Sequence, residues 1–209
     1  MSWVLANLPT IAGHLLAHLL QAVPAIIASF VLAIPIARLA RVARPLRAVL
    51  VTGSSLLYAV PSLALFVILP IILATGIRDP LNVIVALTLY GLALLVPATA
   101  DALDAVDARV LDSATAMGMG RLRCFLTVEL PLAGPAILTG LRVVTVSTIS
   151  LTTVGAVLGV RSLGWLFTDG FQRGITAEIV TGLVATAALA LVLDGLVLAL
   201  GRLCLPWTW

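Results

Sequence analysis

The sequence contains no lysine, and only 5% of its residues are aromatic. Charge is scarce in general, at 10% of the chain against the roughly 25% usual in soluble domains, while 62% is hydrophobic. With a mean hydropathy of +1.22, the chain has to reside in lipid. No G-x-x-x-x-G-K-[ST] stretch occurs, which excludes binding and hydrolysis of ATP by that route. No nucleophile with a base and an orienting acid stands out either. Cysteine is limited to Cys124 and Cys204; both are expected on the cytoplasmic side and give no reason for a disulfide. No basic stretch precedes the first apolar run, which argues against a cleaved signal peptide. The net charge of +3 comes from arginines at the ends of apolar runs, so it speaks to orientation in a membrane and not to nucleic acid.

What is present is a series of long apolar runs. Uncharged stretches cover residues 1–37, 48–77 and 80–100, and two later stretches carry one charge each, at Arg142 and Asp194. About 20 apolar residues cross a ~30 Å hydrocarbon core as a helix, so the expected architecture is an all-α integral membrane protein with about five transmembrane helices. The expected spans are 15–37, 48–77, 81–99, 135–158 and 179–200, after an interfacial segment at 1–13 that contains Trp3. Pro61 and Pro70 are expected to bend one long second helix. Arg38, Arg41, Arg44 and Arg47 mark the first loop as cytoplasmic, which places the amino terminus outside and the carboxyl terminus in the cytoplasm. No internal repeat or linker divides the chain, so residues 1–209 read as a single domain.

Residues 101–130 form a polar island between the third and fourth spans. The run D-S-A-T-A-M-G-M-G at 112–120 reads as a short helix of good formers that ends at Gly118, with Gly120 two residues on. A glycine there can take positive φ and turn the chain sharply. A second helix leads to Leu130 and Pro131, and a proline suits the first turn of a helix. The result is a cytoplasmic helix-turn-helix of a size that another protein can grip. Asp101, Asp104 and Asp107 recur every three residues on one side, as a solvated face or as carboxylates for a basic rim on a partner.

Within the spans, Arg142 and Asp194 lie about seven or eight residues from the cytoplasmic ends, roughly 11 Å deep, and can meet as an ion pair. A proton relay and separate snorkelling are the other readings. Thr145, Thr148, Thr152 and Gly155 share a helical face, which suits helix packing or the lining of a passage for a small polar solute. Pro61 and Ser62 are further candidates for that passage. His14 and His18 are four apart, but no Cys, Asp or Glu stands nearby, so no metal site is expected.

The island resembles the EAA loop of ABC importer permeases, in which E-A-A, three residues, G, nine residues and I-x-L-P dock on the ATPase subunit. The match falls on Asp112, Ser113 and Ala114, on Gly118, and on Val128, Glu129, Leu130 and Pro131, with every spacing kept. Asp for Glu, Ser for Ala and Val for Ile are the departures. V-P-S-L-A-L at 60–65, A-M-G-M-G at 116–120 and V-E-L-P-L-A-G-P at 128–135 extend the resemblance to osmoprotectant permeases. Those handle glycine betaine, carnitine, choline or proline betaine. G-V-R-S-L-G at 159–164 departs from the G-A-G-G-L-G that the family tends to have.

The resemblance implies a type I importer in a bacterial cell membrane. Two permease subunits, identical or related, would form the pathway, with two cytoplasmic ATPases and an external solute-binding protein. It implies that Asp112, Ser113, Ala114, Ala116, Met117, Gly118, Met119, Leu130 and Pro131 meet the ATPase. ATP and Mg would then belong to that partner, and this chain would hold no cofactor. A permease for methionine or another small amino acid shares the same layout. An ion-driven secondary transporter and a membrane scaffold are the readings from other classes.

Overall fold

In a computed structural model of the chain, which describes residues 2–42 and 44–208, the described residues form helices and connecting turns with no strand. A short α1 (Ser2–Ala6) precedes α2 (Leu8–Val42), α3 (Arg44–Ala59), α4 (Ser62–Leu73) and α5 (Pro80–Asp104). The polar island holds α6 (Ala108–Ala116) and α7 (Arg121–Cys124). A π-turn (Phe125–Glu129) then runs into α8 (Leu130–Thr152) and a 3-10 segment (Thr153–Leu158). α9 (Trp165–Arg173) and α10 (Thr176–Cys204) follow.

Among the described residues, four helices are long and apolar enough to cross a membrane: Leu8–Arg41, Pro80–Asp104, Arg121–Leu158 and Thr176–Cys204. A fifth crossing exists if Arg47–Ala59 and Ser62–Leu73 count together, and that pair is bent by 108°. The second expected span is therefore not one long curved helix. Proline has no N–H and clashes with the turn before it, so the helix stops ahead of Pro61. The freed carbonyl of Val60 accepts the Tyr90 hydroxyl of α5 at 2.6 Å. Pro70, by contrast, sits inside α4 without breaking it.

Other boundaries also shift. α2 begins at Leu8, so the stretch expected to lie at the interface is divided between α1 and the first turns of α2. Its buried stripe of Ala22, Ala25, Ser29, Ala33, Ala37 and Ala40 lies at helical spacing, and such small residues let backbones approach closely. At the contact with α5, Ser29 Oγ donates to Ala25 O at 2.7 Å, and a Cβ on Gly91 would fall 2.1 Å from that oxygen. α5 is the centre of the bundle, packed by α2, α3, α4 and α8, with Leu87, Leu95, Val96 and Leu103 fully buried. α10 is the least covered span and leaves Leu183, Leu191, Val192, Leu196 and Leu200 open.

The stretch after α8 folds back on itself. Gly159 takes φ +80, and a Cβ on Gly164 would fall 2.1 Å from the Thr153 carbonyl oxygen, which is backbone and cannot swing aside. Gly164→Ala is expected to cost about 1–3 kcal/mol or more through overpacking. A thermal-shift assay in detergent should show a drop of several degrees. Gly53→Ala, at a helical position with open space around it, should leave the midpoint unmoved.

Candidate functional site: the projection at the arginine-rich end

The ends of α2 and α5 and the start of α3 lie together. Arg41 Nε stands 3.4 Å from Asp104, and Arg47 stands 2.5 Å from the other oxygen of the same carboxylate. From this end the island projects. α6 is opened by Asp107, whose side chain accepts from the Arg109 N–H at 2.9 Å and so satisfies one of the helix's free donors. The Arg109 side chain and that N–H together hold the Asp107 carboxyl below its usual range. α6 is closed by paired bonds, Met119 N–H to Ala114 O at 3.2 Å and Gly118 N–H to Thr115 O at 2.9 Å. With Gly118 at φ +82, this is the left-handed cap that glycine favours. Gly120 instead takes φ −66 and ψ 155, an extended conformation open to any residue, so only the first of the two glycines uses its freedom.

The sequence-predicted docking residues sort by exposure. Asp112, Ser113, Ala116, Met117 and Gly118 face outward, Met117 with 72% of its surface free. Met119, Leu130 and Pro131 are half-buried. Ala114 is buried and turned inward.

Pro131 falls in the first turn of α8, as expected, although α7 and the π-turn lead into that helix without a break. A proline inside a helix crowds the carbonyl four residues back, and the widened π-turn just before it relieves that crowding. The Leu130 N–H bonds to Phe125 O, five residues back. Glu129, the last residue of this elbow, takes a hydrogen bond and ion pair from Arg41. Arg38, one turn earlier on α2, lies over the Phe125 ring at 3.9 Å and donates to Arg121 O at 3.5 Å.

The three aspartates at and just beyond the end of α5 are all exposed, as a solvated face would be, but they differ in their partners. Asp101 is exposed, Asp104 is engaged by two arginines, and Asp107 caps α6. Sequence reading missed the roles of Arg41, Arg47 and Glu129. The usable signal was a lone glutamate beside a cluster of arginines that has to find anions.

Inside the bundle, Arg142 meets Asp194 through two parallel bonds of 2.8 and 2.7 Å. Thr145, Thr148 and Thr152 are all at least 97% buried, and the hydroxyls of Thr145 and Thr152 donate to carbonyls one turn back. That face packs helix on helix and lines no open passage here, which corrects the passage reading for these three residues. Pro61 is exposed and Ser62 half-buried at the break before α4. His14 stacks on Trp165 at 4.6 Å, and His18 Nδ1 accepts from the Leu163 N–H at 3.4 Å. His14 ties α2 to the start of α9 and His18 ties it to the segment just before, and no group of three metal-ligating side chains occurs among the described residues.

The pattern of the binding-protein-dependent transport system inner membrane component family matches residues 29–207. The chain belongs to that family. It is a permease of an ABC importer. A choline transport system permease protein of Bacillus subtilis is 30% identical over 190 residues, covering 90% of this chain and 83% of that one. A glycine betaine/carnitine/choline transport system permease protein of the same organism is 29% identical over 178 residues, covering 85% and 76%. An ergothioneine transport permease/ergothioneine binding protein of Helicobacter pylori is 32% identical over 148 residues. That match covers 71% of this permease but only 26% of the longer relative.

Among solved structures, an inward-facing methionine ABC transporter superposes with a TM-score of 0.81 at 19% identity, covering 93% of this chain and 95% of that one. An amino acid ABC transporter gives 0.73 at 17% identity, covering 97% and 96%. At such identities the likeness is one of fold, and it agrees with the all-helical, four-to-five-span bundle.

Proposed function

We propose that the permease imports a small osmoprotectant of the glycine betaine, carnitine, choline or proline betaine class. It does so in a bacterial cell membrane, with its amino terminus outside and its arginine-rich end in the cytoplasm. The observation that carries the coupling role is the projection itself. α6 is capped at both ends, exposes Asp112, Ser113, Ala116 and Met117, and stands at the end where arginines accumulate. A short helix held this way fits a groove on a cytoplasmic ATPase, and ATP and Mg act there and not in this chain. The open face of α10 suits lipid or a second permease, identical or related, and the pathway forms between two such subunits. An external solute-binding protein delivers cargo.

The solute class is supported by relatives named for glycine betaine, carnitine and choline. Quaternary ammonium groups are held best by aromatic cages, and a chain with 5% aromatic residues is better suited to low-affinity passage than to capture. The methionine reading rests on a fold likeness at 19% identity, which carries no substrate information.

The test is to co-purify the permease with its ATPase and binding protein, reconstitute the assembly, and ask which solute stimulates ATP hydrolysis. Stimulation by betaine, carnitine or choline and not by methionine is expected. Stimulation by methionine alone, or uptake that persists without any ATPase, would overturn the proposal.

A further inference from the structure

We infer that Arg41 and Glu129 form a standing tie through which the projection moves α2, making both of them positioning residues for coupling. This rests on the coupling role proposed above. The projection is joined to the bundle at two places, through α5 before it and through the π-turn after it. A π-turn is a widened, less regular piece of helix, and a push on the projection could be lost there as a local pivot.

The structure holds that elbow from outside. Arg38 and Arg41 are three residues apart and share one side of α2. Arg38 engages Phe125 and Arg121 O, and Arg41 engages Glu129, so the first and last residues of the π-turn are both gripped by one helix.

Apolar packing makes part of this link, since Ala37 of α2 shares a buried cluster with Phe125 of the elbow and Ala133 of α8. Between the end of α2 and the elbow lies a cavity of about 350 Å³ lined by Arg38, Arg41, Thr115, Met119, Arg121 and Glu129, among others. Across this opening the link is made by the two arginine arms. The Glu129 side chain is only 15% exposed and that of Arg41 28%, so the pair is screened less than a surface pair would be. Arg41 also reaches Asp104, which holds Arg47 of α3, so α2, α3, α5 and the π-turn share one charge network. Displacement of the elbow therefore carries three further helices with it.

The test uses the full assembly of permease, ATPase and binding protein in nanodiscs, and reads ATP hydrolysis with and without solute-loaded binding protein. Glu129→Gln is expected to lower the ratio of stimulated to unstimulated hydrolysis by about tenfold, within the span of ordinary allosteric couplings. Arg41→Glu and Glu129→Arg should each do the same. Combining them restores a pair of opposite charges, while Asp104 keeps Arg47, and most of the ratio should return.

A wild-type ratio in Glu129→Gln would overturn the inference. So would a swap variant no better than its single parents, which would mean that the two residues act separately or only support the fold. A wild-type assembly that no solute stimulates would instead sink the proposed function, and that arm is read without any variant.

Discussion

Gly118→Val is expected to abolish stimulation of ATP hydrolysis by solute-loaded binding protein, while Gly120→Ala leaves it within about twofold of wild type. The two glycines are two residues apart, and a Cβ on either would meet nothing within 4 Å. Sterics with neighbours therefore cannot separate the variants; backbone conformation can. Gly118 sits at φ +82, where an L-residue pays roughly 1–2 kcal/mol and a β-branched one more. Gly120 is extended, and alanine adopts that conformation freely.

Valine at 118 removes the turn that directs the chain from α6 into α7. With it go the paired bonds from Met119 and Gly118 to Ala114 and Thr115. α6 would then present Asp112 to Met117 at a different angle from the elbow. Insertion depends on the spans and not on this turn, so membrane yield should hold while coupling fails. Gly118→Asn, which tolerates the left-handed region better, should retain an intermediate ratio. Full coupling in Gly118→Val, measured in the reconstituted assembly, would show that the cap has no part in docking.

How much of this was legible beforehand depends on how local each feature is. The projection could be read because its signals lie within twenty residues: helix formers, a glycine at the cap, and a fixed distance to Leu130 and Pro131. Arg142 and Asp194 could be matched because ionised groups in lipid have almost no alternative to each other. The Arg41–Glu129–Asp104–Arg47 network could not. At a helix end any arginine has several carboxylates and water to choose from, and only the packing of α2, α3, α5 and α8 selects among them.

The break at Pro61 was half legible. Proline announces a disturbance, but whether a helix bends or stops depends on what receives the freed carbonyl, here the Tyr90 hydroxyl from thirty residues away. The threonine face of α8 shows the same limit. Periodicity placed Thr145, Thr148 and Thr152 on one side of the helix, yet it could not say that other helices of the same chain cover that side.

The intramembrane pair supports the last expectation, which concerns folding. Asp194→Leu leaves Arg142 on α8 without its carboxylate, and Arg142→Leu leaves Asp194 on α10 equally alone. Either charge must then snorkel, draw in water or move its helix, because hydrocarbon offers no partner. The geometry raises what is lost, since the guanidinium gives two parallel bonds that lysine could not reproduce. α10 is also the least buried of the four long spans, and this bond joins its packing on α8 in fixing how the two helices meet.

Each single variant should therefore lower the yield of folded, monodisperse permease severalfold. Arg142→Leu/Asp194→Leu removes both charges and leaves apolar side chains, so it should recover most of that yield. Arg142→Lys should fall between. The measurement is fluorescence-detected size exclusion of detergent-extracted protein, followed by uptake in proteoliposomes. A double variant no better folded than the singles would mean that the residues serve separate ends. A well-folded double variant without uptake would place the pair in the transport cycle as well as in the fold.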